Sequence, residues 1–172
     1  RLDMALNAKK SVCLRFGPRF KNSCKNLKTI RGDDITWVTS CRYPGVYFVS
    51  ARYCKCEFSQ AKKSFYRAVN AVFGKVLRLA SEETILHLIA SKCMPILLYG
   101  LDACPITVSD MRSFDFAQSR LLMKIFNTGS ITIVNDCREM FGLKHVSEMI
   151  NVRKTRFLER YKLCDNYVCK IF

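Results

Sequence analysis

Ser59-Gln60-Ala61-Lys62-Lys63-Ser64-Phe65-Tyr66-Arg67-Ala68-Val69-Asn70-Ala71-Val72-Phe73-Gly74-Lys75-Val76-Leu77-Arg78-Leu79 is the stretch that decides the fold. Phe65, Val69, Val72, Phe73 and Val76 recur at helical spacing, with Lys62, Lys63, Arg67, Lys75 and Arg78 largely off that stripe. A basic amphipathic helix is therefore expected here. Before residue 57 the pattern is different. Ser11 to Phe16 alternates like a strand and stops at Gly17-Pro18, and Leu2 to Lys9 has room for two helical turns. Asn26 to Ile30 and Ile35 to Val38 read as paired strands, because Arg31-Gly32-Asp33-Asp34 between them is turn chemistry. Tyr43 to Val49 is β-branched and aromatic, which predicts one further strand kinked by Pro44 near its start.

Beyond the basic helix the helical period continues. Ser81 ahead of Glu82 and Glu83 is an N-cap with acids at the positive end of the dipole, opening a helix through about Ile89 or beyond that Pro95 is expected to kink. Ser109-Asp110 is read as the start of a helix with the stripe Phe114, Ala117, Leu121 and Ile125. A shorter helix should span Ile131 to Phe141 and stop at Gly142, and a last one should run from about Val146 past Arg160. The expected class is α+β: a small antiparallel β-hairpin region followed by an α-helical bundle.

Of the 172 residues, 49% are apolar and 12% aromatic, enough for a packed core and too many for a disordered basic tail. The formal charge of +15 is unevenly spread: residues 1–78 carry +13 and residues 79–172 carry +2. Like charges at that density favour a polyanionic partner on the first half. The ten cysteines lack any Cys-x-x-Cys pair, and His87 and His145 stand at no zinc-finger spacing, so a structural zinc site is not expected. Cys54, Cys56, Cys164 and Cys169 are read as buried or half-buried thiols, reduced and intracellular. Met94 to Tyr99, the most apolar run, is too short to span a bilayer, so no membrane partner is expected. The chain opens at Arg1 with no initiator methionine, and is expected to be a piece of something longer.

Gly32-Asp33-Asp34 invites a metal-site reading, since two-metal polymerases present carboxylates on such a turn. That chemistry needs another carboxylate from an upstream strand, and Asp3 is the sole acid before Gly32. A plain hairpin turn is the preferred reading.

Read in order, a set of weak motifs gains weight. Leu2-Asp3-Met4-Ala5-Leu6-Asn7 with Lys10-Ser11, Arg15-Phe16-Gly17-Pro18-Arg19, Ile35 with Trp37-Val38, and Arg42-Tyr43-Pro44-Gly45-Val46-Tyr47-Phe48 come first. Lys63-Ser64-Phe65-Tyr66-Arg67-Ala68 with Asn70-Ala71 and Phe73-Gly74-Lys75, Ala80-Ser81-Glu82-Glu83, and Lys92-Cys93-Met94-Pro95-Ile96-Leu97-Leu98-Tyr99-Gly100 come next. Together they resemble motif D, motif E (the primer grip) and the thumb of reverse transcriptases of non-LTR retrotransposons. The likeness extends weakly through Asp115-Phe116-Ala117 and Leu122-Met123-Lys124-Ile125-Phe126 to about Leu158.

The resemblance implies that residues 1–56 end a palm, 57–128 are thumb-like helices and 129–172 a C-terminal helical extension. It implies a fragment of an RNA-directed DNA polymerase that holds an RNA template and a DNA primer, dependent on an upstream palm and fingers. The metal-binding aspartates, and with them Mg2+, would belong to that upstream part, so no cofactor is expected on this chain. Lys10 matches the motif D lysine, whose ammonium stabilises the leaving pyrophosphate and donates a proton to it. Tyr43, Gly45 and Val46 match the primer grip, where glycine admits a close sugar-phosphate, and Arg42 beside them is expected, with Tyr43 and Gly45, to contact nucleic acid. Pro44 departs from the family's usual leucine. Lys62, Lys63, Arg67, Lys75 and Arg78 would meet duplex phosphates without reading bases. A nuclear and cytoplasmic location would accompany that role. Two other classes stay open: a non-catalytic basic helical module that binds nucleic acid, and a degenerate transposon relic.

Overall fold

A computed structural model describes residues 6–76 and 80–167. By its internal contacts the chain divides into two units, residues 1–57 and residues 58–172. The first is built of short strands and the second of helices, an α+β protein.

In the first unit, β1 (Val12–Cys13), β2 (Leu27–Lys28) and β3 (Asp34–Trp37) form one sheet in the order β1-β3-β2. β2 and β3 pair antiparallel, whereas β1 lies parallel to β3, so this sheet is mixed rather than wholly antiparallel. The long connection from Cys13 to Asp34, which contains β2, makes the parallel pairing possible. The Gly32-Asp33 stretch is the hairpin turn expected. Gly32 takes φ +89, its N–H reaches Thr29 O, and the Asp33 N–H donates to the Thr29 hydroxyl at 3.1 Å.

A second sheet, wholly antiparallel, orders β4 (Ser40–Tyr43), β5 (Val46–Val49) and β6 (Lys55–Glu57). The expected single strand from Tyr43 to Val49 is thus replaced by a hairpin. Tyr43 pairs with Val46, leaving Pro44 and Gly45 as the two loop residues. Proline at the first loop position and glycine at φ +85 at the second are what a type II turn requires. β6, around the buried Cys56, carried too little pattern in three residues to be read from the sequence.

Two helical turns at the start are not found among the described residues. Asn7 instead captures the Lys9 N–H with its side-chain oxygen at 3.1 Å, and the Lys10 N–H bonds Asn7 O, closing a turn. Residues 1–5 lie outside the described residues.

The second unit begins with α1 (Ser59–Val76), whose Phe65, Val69 and Phe73 are buried. Ser81 caps α2 (Glu82–Leu88), accepting from the Thr84 N–H. Ahead of Pro95 the helix widens into a π turn, Ile89–Cys93, in which the Met94 N–H reaches back to Ile89 O, before α3 (Met94–Leu97). Pro95 has no N–H to give to Ser91 O, and the wider turn accommodates that loss. α4 (Val108–Ile125) starts two residues earlier than Ser109-Asp110 suggested. Thr107 is its N-cap, and Thr107 and Asp110 form a reciprocal capping box. α5 (Ile131–Met140) and α6 (Val146–Leu163) lie where the periodicity put them.

The core joins α1, the π turn and α3 to α4, with Phe65, Leu97, Leu101, Phe114, Leu122, Val134 and Ile150 fully enclosed. Each such side chain contributes about 1.5–3 kcal/mol on leaving water. Phe58 meets Phe114 edge-on at 5.4 Å. Arg138 of α5 is also buried: its guanidinium bonds the His145 ring, including Nε2 at 2.8 Å, and the Ser119 hydroxyl at 3.2 Å. Burial pulls the Arg138 pKa down, against the charges of Asp115 and Glu148. Among the described residues no helix is long and apolar enough to cross a membrane.

Candidate nucleic-acid interface

Helix α1 places its cations by simple rotation. At 100° per residue, Phe65, Val69 and Phe73 cluster on one side, and Lys63 and Arg67, one turn apart, stand opposite them. Both are exposed. Lys75 is exposed too, about two turns beyond Arg67 and rotated away from the pair. Lys62 belongs with the apolar side rather than off it. It is half-buried, donates from Nζ to the Ser113 hydroxyl at 2.7 Å, and sits 6.0 Å from the Phe114 ring centroid. Its ammonium ties α1 to α4. Arg78 lies outside the described residues.

Two further cations, not apparent from the sequence, complete the α1 face. Lys124 of α4 donates to Asn70 Oδ1 at 3.3 Å and stands 4.5 Å from the Phe73 ring centroid. Arg120, one turn before it and exposed, acts on Tyr66: burial raises the Tyr66 pKa and the Arg120 charge pulls it back. Tyr66 and Asn70 lie on α1 between its buried stripe and the Lys63–Arg67 pair. The cationic face therefore runs from Lys63 and Arg67 across Tyr66 and Asn70 to Arg120 and Lys124. The i, i+4 spacing of Arg120 and Lys124 was visible in the sequence, but their placement beside α1 arises only from tertiary packing.

In the strand unit the structure gathers Arg42, Tyr43 and Gly45 on the β4–β5 hairpin. Tyr43 is 71% exposed, and the Arg42 guanidinium lies 5.9 Å from the ring centroid of its cross-strand partner Tyr47. Pro44 takes a turn position that needs no ladder donor, so the hairpin forms with it in place. Lys10 stands on a different element, exposed on the turn that Asn7 closes ahead of β1.

Asp33 and Asp34 stay with the β2–β3 turn, where the Asp33 carboxylate is within 3.4 Å of the Thr29 hydroxyl. Among the described residues no group of three His, Cys, Asp or Glu side chains is placed to hold a metal ion. The thiols divide in a way the sequence did not show. Cys56, Cys93 and Cys104 are buried, but Cys54 and Cys164, expected to be at least half-buried, are exposed. Cys54 lies just ahead of the short β6 and Cys164 just past the end of α6. Cys169 lies outside the described residues.

Compared with known proteins, the chain matches no family model, no curated protein and no solved structure.

Proposed function

We propose that this chain grips a nucleic acid duplex, as the motif D, primer-grip and thumb portion of an RNA-directed DNA polymerase similar to those of non-LTR retrotransposons. The observation that carries the proposal is the exposed row of Lys63 and Arg67 on α1, extended by Arg120 and Lys124 of α4. Cations so arranged meet backbone phosphates and leave base identity unread. The exposed Arg42, Tyr43 and Gly45 turn is the matching element of the strand unit, and Lys10 the proposed proton donor to pyrophosphate. The RNA template, the DNA primer and an upstream palm and fingers are the proposed partners, with catalytic metal ions held by that upstream part. The nuclear and cytoplasmic location is proposed with the function.

The test is the salt dependence of binding to an RNA–DNA hybrid, measured by fluorescence anisotropy. Binding should weaken steeply with salt, and Lys63→Ala with Arg67→Ala should reduce the log–log slope by about two, one per lost phosphate contact. A double variant with an unchanged slope overturns the thumb assignment. In a protein extended upstream to include the palm, Lys10→Ala should slow single-turnover nucleotide addition without weakening primer binding.

A further inference from the structure

The strand unit contains a cavity of about 870 Å3, whose walls include Arg15, Phe20, Lys21, Asn22, Trp37 and Glu57. Three features give it a chemical character. Its aromatic surface is fixed: the Trp37 indole N–H donates to Lys25 O at 3.2 Å, and the Arg15 guanidinium lies 5.3 Å from the Trp37 ring centroid. Its cations are held. Arg15 Nη1 donates to the carbonyls of Arg19 and Asn22, at 3.0 and 3.1 Å, and Lys21 sits beside the Phe20 ring. The Ser50 hydroxyl bonds Arg15 O at 2.8 Å and fixes the backbone under that guanidinium. The two bonds to carbonyls occupy the hydrogens of Nη1, so the Nη2 and Nε side of the fork is not part of them. The remaining wall is mostly hydroxyl and amide side chains, with Glu57 as a carboxylate among the described lining residues.

The lining combines apolar surface from Phe20, Trp37, Val38 and Val49 with the charges of Arg15 and Lys21; a purely apolar ligand makes no use of the charges, and a bare anion makes none of Trp37 and Phe20. A planar heteroaromatic ring carrying a phosphate uses both. Its ring stacks on aromatic or guanidinium planes, its edge finds hydroxyl and amide partners, and its charge meets Lys21 and Arg15. We infer that this cavity binds one nucleotide, either free or as an unpaired residue of a strand. The inference rests on the cavity of the strand unit alone and does not depend on the duplex grip assigned to α1.

Trp37 is the single tryptophan of the chain, so its fluorescence reports this cavity directly. The full chain is titrated with uridine 5′-monophosphate, ribose 5-phosphate, inorganic phosphate and a short oligouridylate, with excitation at the red edge. Uridine monophosphate should quench Trp37 saturably. Ribose 5-phosphate, which lacks the base, should bind about tenfold more weakly. Lys21→Ala, at an exposed side chain, should weaken the nucleotide about fivefold, and Arg15→Ala should do so more strongly. An oligouridylate that saturates at lower concentration than the monophosphate identifies an unpaired residue of a strand as the ligand, and the reverse order identifies a free nucleotide. Absence of saturable quenching by both, or inorganic phosphate acting as strongly as the nucleotide, overturns the inference. Hybrid binding is measured separately on the α1 variants, so the two readings fail independently.

Discussion

The two units of this protein are held together by different means. In the helical unit side chains from seven successive segments enclose one another, and Phe65, Leu97, Val134 and Ile150 are sealed from water. Among the described residues of the strand unit only Ile35 and Cys56 are buried apolar side chains, while Leu6, Val12, Phe16, Leu27, Ile30, Tyr43 and Tyr53 are exposed. Its strands are two to four residues long. Backbone pairing and turn chemistry, rather than a large apolar core, define its shape.

The largest effect expected from that contrast is at Phe114. It is 1% exposed and packs edge-on against Phe58, so Phe114→Ala should lower the stability of the helical unit by about 3–5 kcal/mol. Native-state hydrogen exchange resolves where that loss is felt. Amides of α1 and α4 should exchange faster in the variant, while amides between Val12 and Glu57, already governed by local opening, should be unchanged. Equal acceleration in both units would show one cooperative structure and break the comparison.

The same contrast explains what was legible in the sequence. Helices α1 and α4 were readable because each repeats an apolar stripe over ten or more residues, and burial at Phe65, Phe73, Phe114 and Leu121 obeys that stripe. Among the described residues of the strand unit no strand exceeds four residues, too few for alternation to fix a register. Tyr43-Pro44-Gly45-Val46 reads as a strand because its neighbours are β-branched and aromatic, although Pro-Gly is the better signal and marks the turn that forms. For the candidate interface, Lys63 and Arg67 were readable from α1 alone. Arg120 and Lys124 were not, because their neighbours Tyr66, Asn70 and Phe73 come from a helix some fifty residues earlier.

A smaller difference between the units should appear at alkaline pH. Cys93, the buried last residue of the π turn, has its thiol pushed above the ordinary value of 9.0 by burial. The native state then keeps a proton that the unfolded state releases, so its contribution is complete below pH 9.0 and declines as pH rises toward the higher native value. Denaturant midpoints of the helical unit should fall through that window, and Cys93→Ala should flatten the fall. The exposed Cys24 and Cys54 of the strand unit should react with a thiol reagent in native protein while Cys93 does not. Equal reactivity of all three would mean that the helical core opens as readily as the strands.

The smallest expected effect separates two adjacent lysines on α1. Lys62 and Lys63 carry the same charge, but Lys62 commits its ammonium to the Ser113 hydroxyl beneath the helix while Lys63 stands in solvent. Lys62→Met keeps the aliphatic stem against Phe114 and gives up one hydrogen bond, and a half-buried serine can bond its own helix backbone instead. Its stability should change by less than about 1 kcal/mol in either direction. The salt slope for hybrid binding should be unchanged in Lys62→Met and lowered by about one in Lys63→Ala, since only the second removes a cation that phosphate can reach. If the two variants lower the slope equally, the Lys62 ammonium leaves Ser113 for the nucleic acid, and the α1–α4 tie is a resting arrangement that the bound duplex breaks.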